Sequence, residues 1–388
     1  MPSKAARPQE STIAAFRDHF ASRQDAMLAT LRELVEMESP SHDKAAVDRL
    51  GQVLAGKFSA LGGRVQFHPG GAFGNHLQAD FDGGSGKPVL LLGHFDTVWE
   101  IGTLKTMPFR VEGGKAFGPG SFDMKGGIVM MLEAIGGLRQ MRGGLPRPVT
   151  VLLNTDEEVG SESSRPVTER LARQCAAVLV LEPAGAGGRI KTARKGVGDY
   201  TVKITGIRSH AGLDFDKGRS AIVELARQIL VMTRFTDRKR GITVNPGVIR
   251  GGTRTNVVAA EASVEVDIRI ARMADAKPLE RRFRGLKAVD RKCKLKVTGG
   301  INRPPLERTA GVAALYDLAR ELAAGVGWKV GEIAVGGGSD GNFTAGLGVP
   351  TLDGLGAAGD GAHAHHEHIL PAEWPRKTAL IAGLLERI

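Results

Sequence analysis

Acidic and histidine side chains recur immediately after short apolar runs. Leu90-Leu91-Leu92-Gly93 leads into His94-Phe95-Asp96, Val151-Leu152-Leu153-Asn154-Thr155 into Asp156-Glu157-Glu158, and Val178-Leu179-Val180-Leu181 into Glu182. A further acid, Asp123, lies in the glycine-rich stretch Gly118-Pro119-Gly120-Ser121-Phe122-Asp123-Met124-Lys125-Gly126-Gly127. In open α/β sheets the carboxyl ends of the strands form the ligand crevice, so these groups can converge despite their separation in sequence. Converging carboxylates repel one another unless a cation lies between them. Histidine with Asp and Glu, and no thiolate, suits a hard or borderline divalent ion, and zinc takes both imidazole nitrogen and carboxylate oxygen. Any one of these residues alone would read as a surface acid or a core histidine. The set at strand ends carries the metal reading.

The elements that must position them follow from periodicity. Met27, Leu31, Leu34 and Val35 recur at helical spacing, as do Ala46, Leu50, Val53, Leu54, Phe58 and Leu61. The runs at 89–92, 149–153 and 178–181 read as buried strands of a mostly parallel sheet, with a helix over 128–138 between two of them. From Tyr200 the pattern changes: alternating strands at 200–205 and 258–270, helices at 222–230 and 279–286, and strands at 242–250 and 292–297. The order βαββαβ is the ferredoxin-like unit. The expected architecture is an α/β domain of residues 1–194 and 305–388, with a βαββαβ unit of residues 195–304 inserted into it.

Composition narrows the function classes. At 388 residues the chain suits two domains. Hydrophobic residues at 42% and charged residues at 24% are ordinary for a globular protein. No apolar run reaches the ~20 residues of a membrane span, and residues 1–36 lack the apolar core of a signal peptide. Cys175 and Cys293 are too few for a disulfide framework or a thiolate zinc site, so the expectation is a cytoplasmic protein. A net charge of +11 invites a nucleic-acid reading, but the 53 basic residues are scattered and aromatics are only 5%. The basic balance fits a small anionic substrate, or simply a solvated surface, better than nucleic acid. Gly354-Leu355-Gly356-Ala357-Ala358-Gly359 fits a dinucleotide fingerprint but runs into a histidine-rich stretch instead of opening a helix. No Gly-x-Ser-x-Gly elbow supports a serine hydrolase around Ser209-His210.

His94-Phe95-Asp96-Thr97-Val98, the Asp123-Met124-Lys125-Gly126-Gly127 loop, Thr155-Asp156-Glu157-Glu158-Val159-Gly160-Ser161 and Leu181-Glu182-Pro183 together resemble the M20 metallopeptidases. The resemblance spans nearly the whole chain. It is nearest to the carboxypeptidase G2-like glutamate carboxypeptidases around Met107-Pro108-Phe109-Arg110-Val111-Glu112-Gly113 and Arg303-Pro304-Pro305. Met124 departs from the many relatives that carry a second Asp there. The resemblance implies two zinc ions per subunit, with cobalt as a substitute. It makes His94 and Glu182 ligands of one, Asp123 the bridge, and Glu158 with a C-terminal histidine ligands of the other. Ala362-His363-Ala364-His365-His366-Glu367-His368-Ile369 offers four histidines. The family spacing His-x-x-x-Glu-x-aliphatic selects His363, with His365 and His366 as alternatives. Glu157 would be the general base, Asp96 would orient His94, and His210 would stabilise the oxyanion from a partner subunit. Arg303, with Asn256, Gly337 and Gly338, would bind a small-molecule or peptide substrate through its free carboxylate. The implied protein is a homodimeric amidohydrolase, most simply a glutamate carboxypeptidase, with residues 1–194 and 305–388 as its catalytic domain and 195–304 as its lid or dimerisation domain. An N-acyl amino acid deacylase is the rival, and a non-catalytic metal- or nucleic-acid-binding protein the distant one.

Overall fold

The uninterrupted apolar runs become strands with no exposed face. β3 (Val89–His94), β6 (Val149–Asn154) and β7 (Ala177–Val180) are buried along their whole length. Side chains alternate across the sheet, so Val89, Leu91, Val151 and Leu179 join one core while Leu90, Leu92, Leu152, Val178 and Val180 join another. A sheet covered on both faces needs no polar alternation, which is why these strands read as plain hydrophobic runs.

The structure is a computed structural model that describes residues 9–388. It divides into two units. Unit 1 comprises the residues through Ala193, Arg308–Val335 and Ser339–Ile388; unit 2 comprises Arg194–Glu307 and Gly336–Gly338. In unit 1 the central sheet has the order β1-β2-β6-β3-β7-β16, with β1 at Arg64–His68, β2 at His76–Phe81 and β16 at Thr351–Leu352. Pairings β6–β3, β3–β7 and β7–β16 are parallel; β1–β2 and β2–β6 are antiparallel. The fold is therefore mixed α/β with a mostly parallel sheet. The antiparallel edge was not legible, because β1 is partly exposed and carries no clean period.

Around this sheet pack α1 (Gln9–Ser22), α2 (Gln24–Glu36), α3 (Lys44–Ala60), α4 (Gly126–Arg142), α5 (Arg165–Ala172), α8 (Ala310–Ala324), α9 (Gly341–Gly346) and α10 (Trp374–Arg387). Helix α4 begins against the end of β7: a Cβ on Gly127 would lie 2.1 Å from the Leu181 carbonyl oxygen, so only glycine permits the approach. Small pairings complete the unit: β8 (Ile190–Arg194) with β15 (Glu332–Val335), and a sheet of order β17-β18-β5-β4. Those four strands are Gly359–Asp360, His368–Ile369, Lys115–Phe117 and Arg110–Glu112. No helix follows Gly354–Gly359; the chain passes directly into β17. No helix among the described residues is long and apolar enough to cross a membrane.

Unit 2 has a four-stranded antiparallel sheet of order β11-β13-β9-β14, namely Thr243–Gly251, Glu261–Ile270, Gly196–Thr205 and Lys294–Arg303. Helices α6 (Ala221–Thr233) and α7 (Ala276–Arg284) complete the βαββαβ order. Tyr200, Val202, Ile204, Val264, Val266 and Ile268 face the helices, where Tyr200 stacks on Phe283 at 4.1 Å. The strand expected over 258–270 is broken. Val257–Val258 (β12) pairs instead with Ser209–His210 (β10), because the carbonyls of Ala259 and Ala260 accept from Ala221 and Gly206 and turn the chain before β13.

Candidate metal centre

Each ligand candidate stands at a strand end or a tight turn of unit 1. His94 closes β3 and is 1% exposed. Its Nδ1 lies 3.0 Å from the Asp96 carbonyl oxygen, which accepts only if Nδ1 carries the proton, so Nε2 presents its lone pair. The Asp96 carboxylate is fully buried; it accepts from Ser41 Oγ at 2.7 Å and from the backbone amides of Glu157 and Glu158 at 3.4 and 3.3 Å. Asp96 thus fixes the histidine through its carbonyl and the acidic pair through its carboxylate. The turn after β6 is shaped by Asp156, whose Oδ2 accepts from Ser163 N and Oγ at 2.8 and 2.6 Å. Asp123 stands in the loop before α4, where its peptide bond to Met124 is cis. Met124 fills the space beside Gly93 and is fully buried, so the departure from Asp is a packing residue.

His94 Nε2 lies 3.3 Å from Asp123 Oδ1 and 3.5 Å from Glu182 Oε1. His363 Nε2 lies 3.4 Å from Asp123 Oδ2 and 3.2 Å from Glu158 Oε2. Asp123 therefore turns one oxygen to each imidazole. Donors held 2.0–2.1 Å from a tetrahedral centre stand about 3.3 Å apart, a spacing that these separations match. His94, Glu157 and Glu182 bring ligand atoms within 4.8 Å of one another, as do His94, Asp123 and Glu158. Glu158 Oε1 is buried without a hydrogen-bond partner among the described residues, an acceptor that a cation would satisfy. His363 takes a backbone φ of 61°, a region non-glycine residues seldom occupy. His363 lies outside both groups but faces Asp123 and Glu158, whereas His365 and His366 are exposed and the His365 ring stands 5.7 Å from that of Trp99.

The electrostatics agree. Burial pushes the His94 imidazole down, but the Asp123, Asp96 and Glu182 carboxylates overcome it and hold it well above its ordinary value. Asp123 and Glu158 raise His363 to about 10. Burial raises Glu158, against the pull of His363, while the two histidines hold Asp123 far below the usual carboxylate range despite its burial. Acids that stabilise a positive charge this strongly on two imidazoles would stabilise metal cations in the same place.

The sequence profile of peptidase family M20/M25/M40 matches residues 90–387. Carboxypeptidase G2 of Pseudomonas sp. (strain RS-16) is 33% identical over 371 residues, 93% of this chain and 89% of that protein. The chain belongs to the M20 peptidase family. It is a hydrolase, and its expected fold and family are borne out. An acetylornithine deacetylase of Proteus mirabilis (strain HI4320) is 28% identical over 61% of this chain and 65% of its own length. Aminopeptidase PepT of Bacillus cereus ATCC 10987 has the same fold, with a TM-score of 0.78, 23% identity, and coverage of 94% of this chain and 98% of that one.

The other M20-derived candidates lie in unit 2. His210 is exposed on β10, and its Nδ1 accepts from the amides of Gly212 and Leu213, both at 3.1 Å. The ring proton therefore sits on Nε2, directed outward as a donor. The Asn256 carbonyl accepts from Ala211 N at 2.9 Å, and its side chain is exposed. Arg303 ends β14 and is 6% exposed. The carbonyls of Gly337 and Gly338 accept from Arg194 Nη1 at 3.3 and 3.0 Å. Sequence reasoning missed the supporting residues Ser41 and Trp99, and met Asp156 without giving it a role. It met Glu367 only as part of a spacing motif.

Proposed function

We propose that the chain is a dinuclear, zinc-dependent carboxypeptidase that cleaves the amide bond to a C-terminal glutamate or similar amino acid. The observation that carries this is the pair of donor groups meeting on Asp123, in a chain matching carboxypeptidase G2 along 93% of its length. The donors fit the metal: imidazole and carboxylate, no thiolate, with an unsatisfied buried oxygen on Glu158. His94, Asp123, Glu158, Glu182 and His363 would hold two ions, which when bound supply Lewis acidity toward a water and the scissile carbonyl. Glu157 takes the proton of the attacking water and returns it to the departing amine. Asp96 keeps His94 in the tautomer that leaves Nε2 free.

The Arg303 guanidinium suits a bidentate grip on the substrate's free carboxylate, with Asn256, Gly337 and Gly338 as further contacts. The outward Nε2–H of His210 is the donor an oxyanion needs, and we assign it to the partner's site in a homodimer. The edge strand β11 and the exposed Ile222, Val223, Leu230 and Ile249 of unit 2 support such pairing. Cys175 and Cys293 are both free, which suits the cytoplasm.

Rates on N-acyl-glutamate, folate-type and N-acetylornithine substrates, compared side by side, test the substrate class. Preference for the glutamate amides is expected, with Arg303→Ala raising KM far more for free acids than for their amides. Preference for N-acetylornithine would establish the deacylase instead, the reading that the Proteus relative supports. Mixing inactive His210→Ala and Glu157→Ala subunits should restore activity. Inactivity despite proven subunit exchange would refute the shared site.

A further inference from the structure

Glu367 takes no part in the chemistry above, yet its fully buried carboxylate accepts four N–H groups. Oε2 accepts from Trp99 Nε1 and Gly120 N, both at 2.8 Å; Oε1 accepts from Phe122 N and Asp123 N, both at 2.9 Å. Its carbonyl oxygen also accepts from Gly118 N at 3.3 Å. On its own side of the contact, Glu367 N donates to Ala364 O at 2.8 Å and Ala364 N to Gly361 O at 2.9 Å. These two successive turns carry His363 between them. Segments 244 residues apart in sequence therefore meet on one side chain, and each bears a group facing the other: Asp123 Oδ2 and His363 Nε2, 3.4 Å apart.

We infer that Glu367 is a positioning residue whose carboxylate clamps the Gly120–Asp123 loop to the turns carrying His363, and so sets the spacing required by the metal that Asp123, Glu158 and His363 would share. The inference rests on the ligand reading proposed above. His94 and Glu182 stand at the ends of β3 and β7 and are held without the clamp. Asp123 faces both metals, but only the metal of Glu158 and His363 draws two ligands from the clamped segments, so loss of the clamp weakens that metal more. The bond count makes the acid specific. An amide in its place would aim an NH2 group at two N–H donors, whichever oxygen it replaced. Trp99 extends the clamp to the segment after β3.

Titrating metal-free Glu367→Gln with Co2+, followed by absorption and native mass spectrometry, reads the two sites separately. The metal of Glu158 and His363 should bind about 10–100-fold more weakly, the range for losing a group that orients ligands, with the other weakened less. With metal in excess, kcat should fall while KM stays. A melt of the metal-free variant reads folding independently. His363→Ala is run alongside. If it loses one metal while Glu367→Gln keeps both at wild-type affinity, the clamp is refuted and the ligand reading stands. If His363→Ala also keeps both, the ligand reading itself fails. Equal weakening of both metals in Glu367→Gln would assign Glu367 a general structural role and overturn the inference. Should Glu367→Gln fail to fold, Trp99→Phe decides: it keeps the carboxylate and removes one donor of four. A smaller weakening of the same metal supports the clamp, and unchanged affinities refute it.

Discussion

The two imidazoles that face Asp123 are held in opposite ways. His94 is 1% exposed, anchored at the end of a central strand and oriented by Asp96. The His363 side chain is 51% exposed, borne on consecutive turns and placed by a backbone conformation that few residues accept. One comes with the hydrophobic core, the other with local hydrogen bonds. A site assembled from both couples a rigid half to a half that can be lost without unfolding the sheet, and metal retention is the quantity that should report the difference.

The sharpest test lies between the two histidines, at adjacent acids with different duties. Glu157→Gln should keep both metals and lose about 10²–10⁴-fold in kcat, the range for a missing general base. Glu158→Gln should instead lower metal stoichiometry. Equal metal loss in both would erase the distinction.

A second test asks how strictly the buried region demands partners for its charges. Lys377 is 1% exposed; its Nζ lies 5.5 Å from the Trp328 ring and has no hydrogen-bond partner among the described residues. Burial lowers its pKa to about 7. Between pH 7 and 10.5 the unfolded chain binds this proton and the folded chain does not, so the contribution to stability rises with pH over that window. Lys377→Met should abolish that rise. The metal-free variant should therefore exceed wild type most at or below pH 7, by at most about 5 kcal/mol, with the gap closing toward pH 10.5. Denaturant melts at several pH values measure it, and a pH-independent gap would refute the linkage.

The smallest expected effect compares the histidines directly. Without metal, His94→Ala should cost about 1–3 kcal/mol, because Asp96 and its neighbours lose a buried partner. His363→Ala removes a half-exposed partner of Asp123 and Glu158 and should cost less than His94→Ala, because solvent screens the pair. Chemical denaturation of metal-free protein separates them, and equal costs would break the contrast.

Legibility divides along the same line. His94, Glu158 and Glu182 could be placed from sequence because buried parallel strands leave long apolar runs, and the polar residue that ends a run must lie at the sheet's rim. Asp123 needed the glycines around it, one of which, Gly127, approaches Leu181 as only a missing Cβ permits. His363 was singled out by its spacing to Glu367, and periodicity offered nothing for a segment of turns. Trp99 and Ser41 left no signal, since hydrogen bonds between distant loops impose no pattern on neighbouring residues. In unit 2 the alternation over 258–270 hid a break, because the interrupting bonds come from Ala221 and Gly206, outside the strand itself.

The discontinuous make-up of unit 1 bears on events during synthesis. Unit 2 is nearly contiguous, Arg194–Glu307, and can acquire its core as soon as that stretch has left the ribosome. Unit 1 must wait. Its α10 packs on α1 and α4, made far earlier, and His363 and Glu367 arrive with it in the segment Ser339–Ile388. Until then Phe16, Phe20 and the apolar face of α4 lack their covering helix, and Asp123 lacks both the imidazole and the carboxylate that meet its loop. A nascent chain of this protein can therefore carry its smaller unit folded while the groups that meet Asp123 are still incomplete.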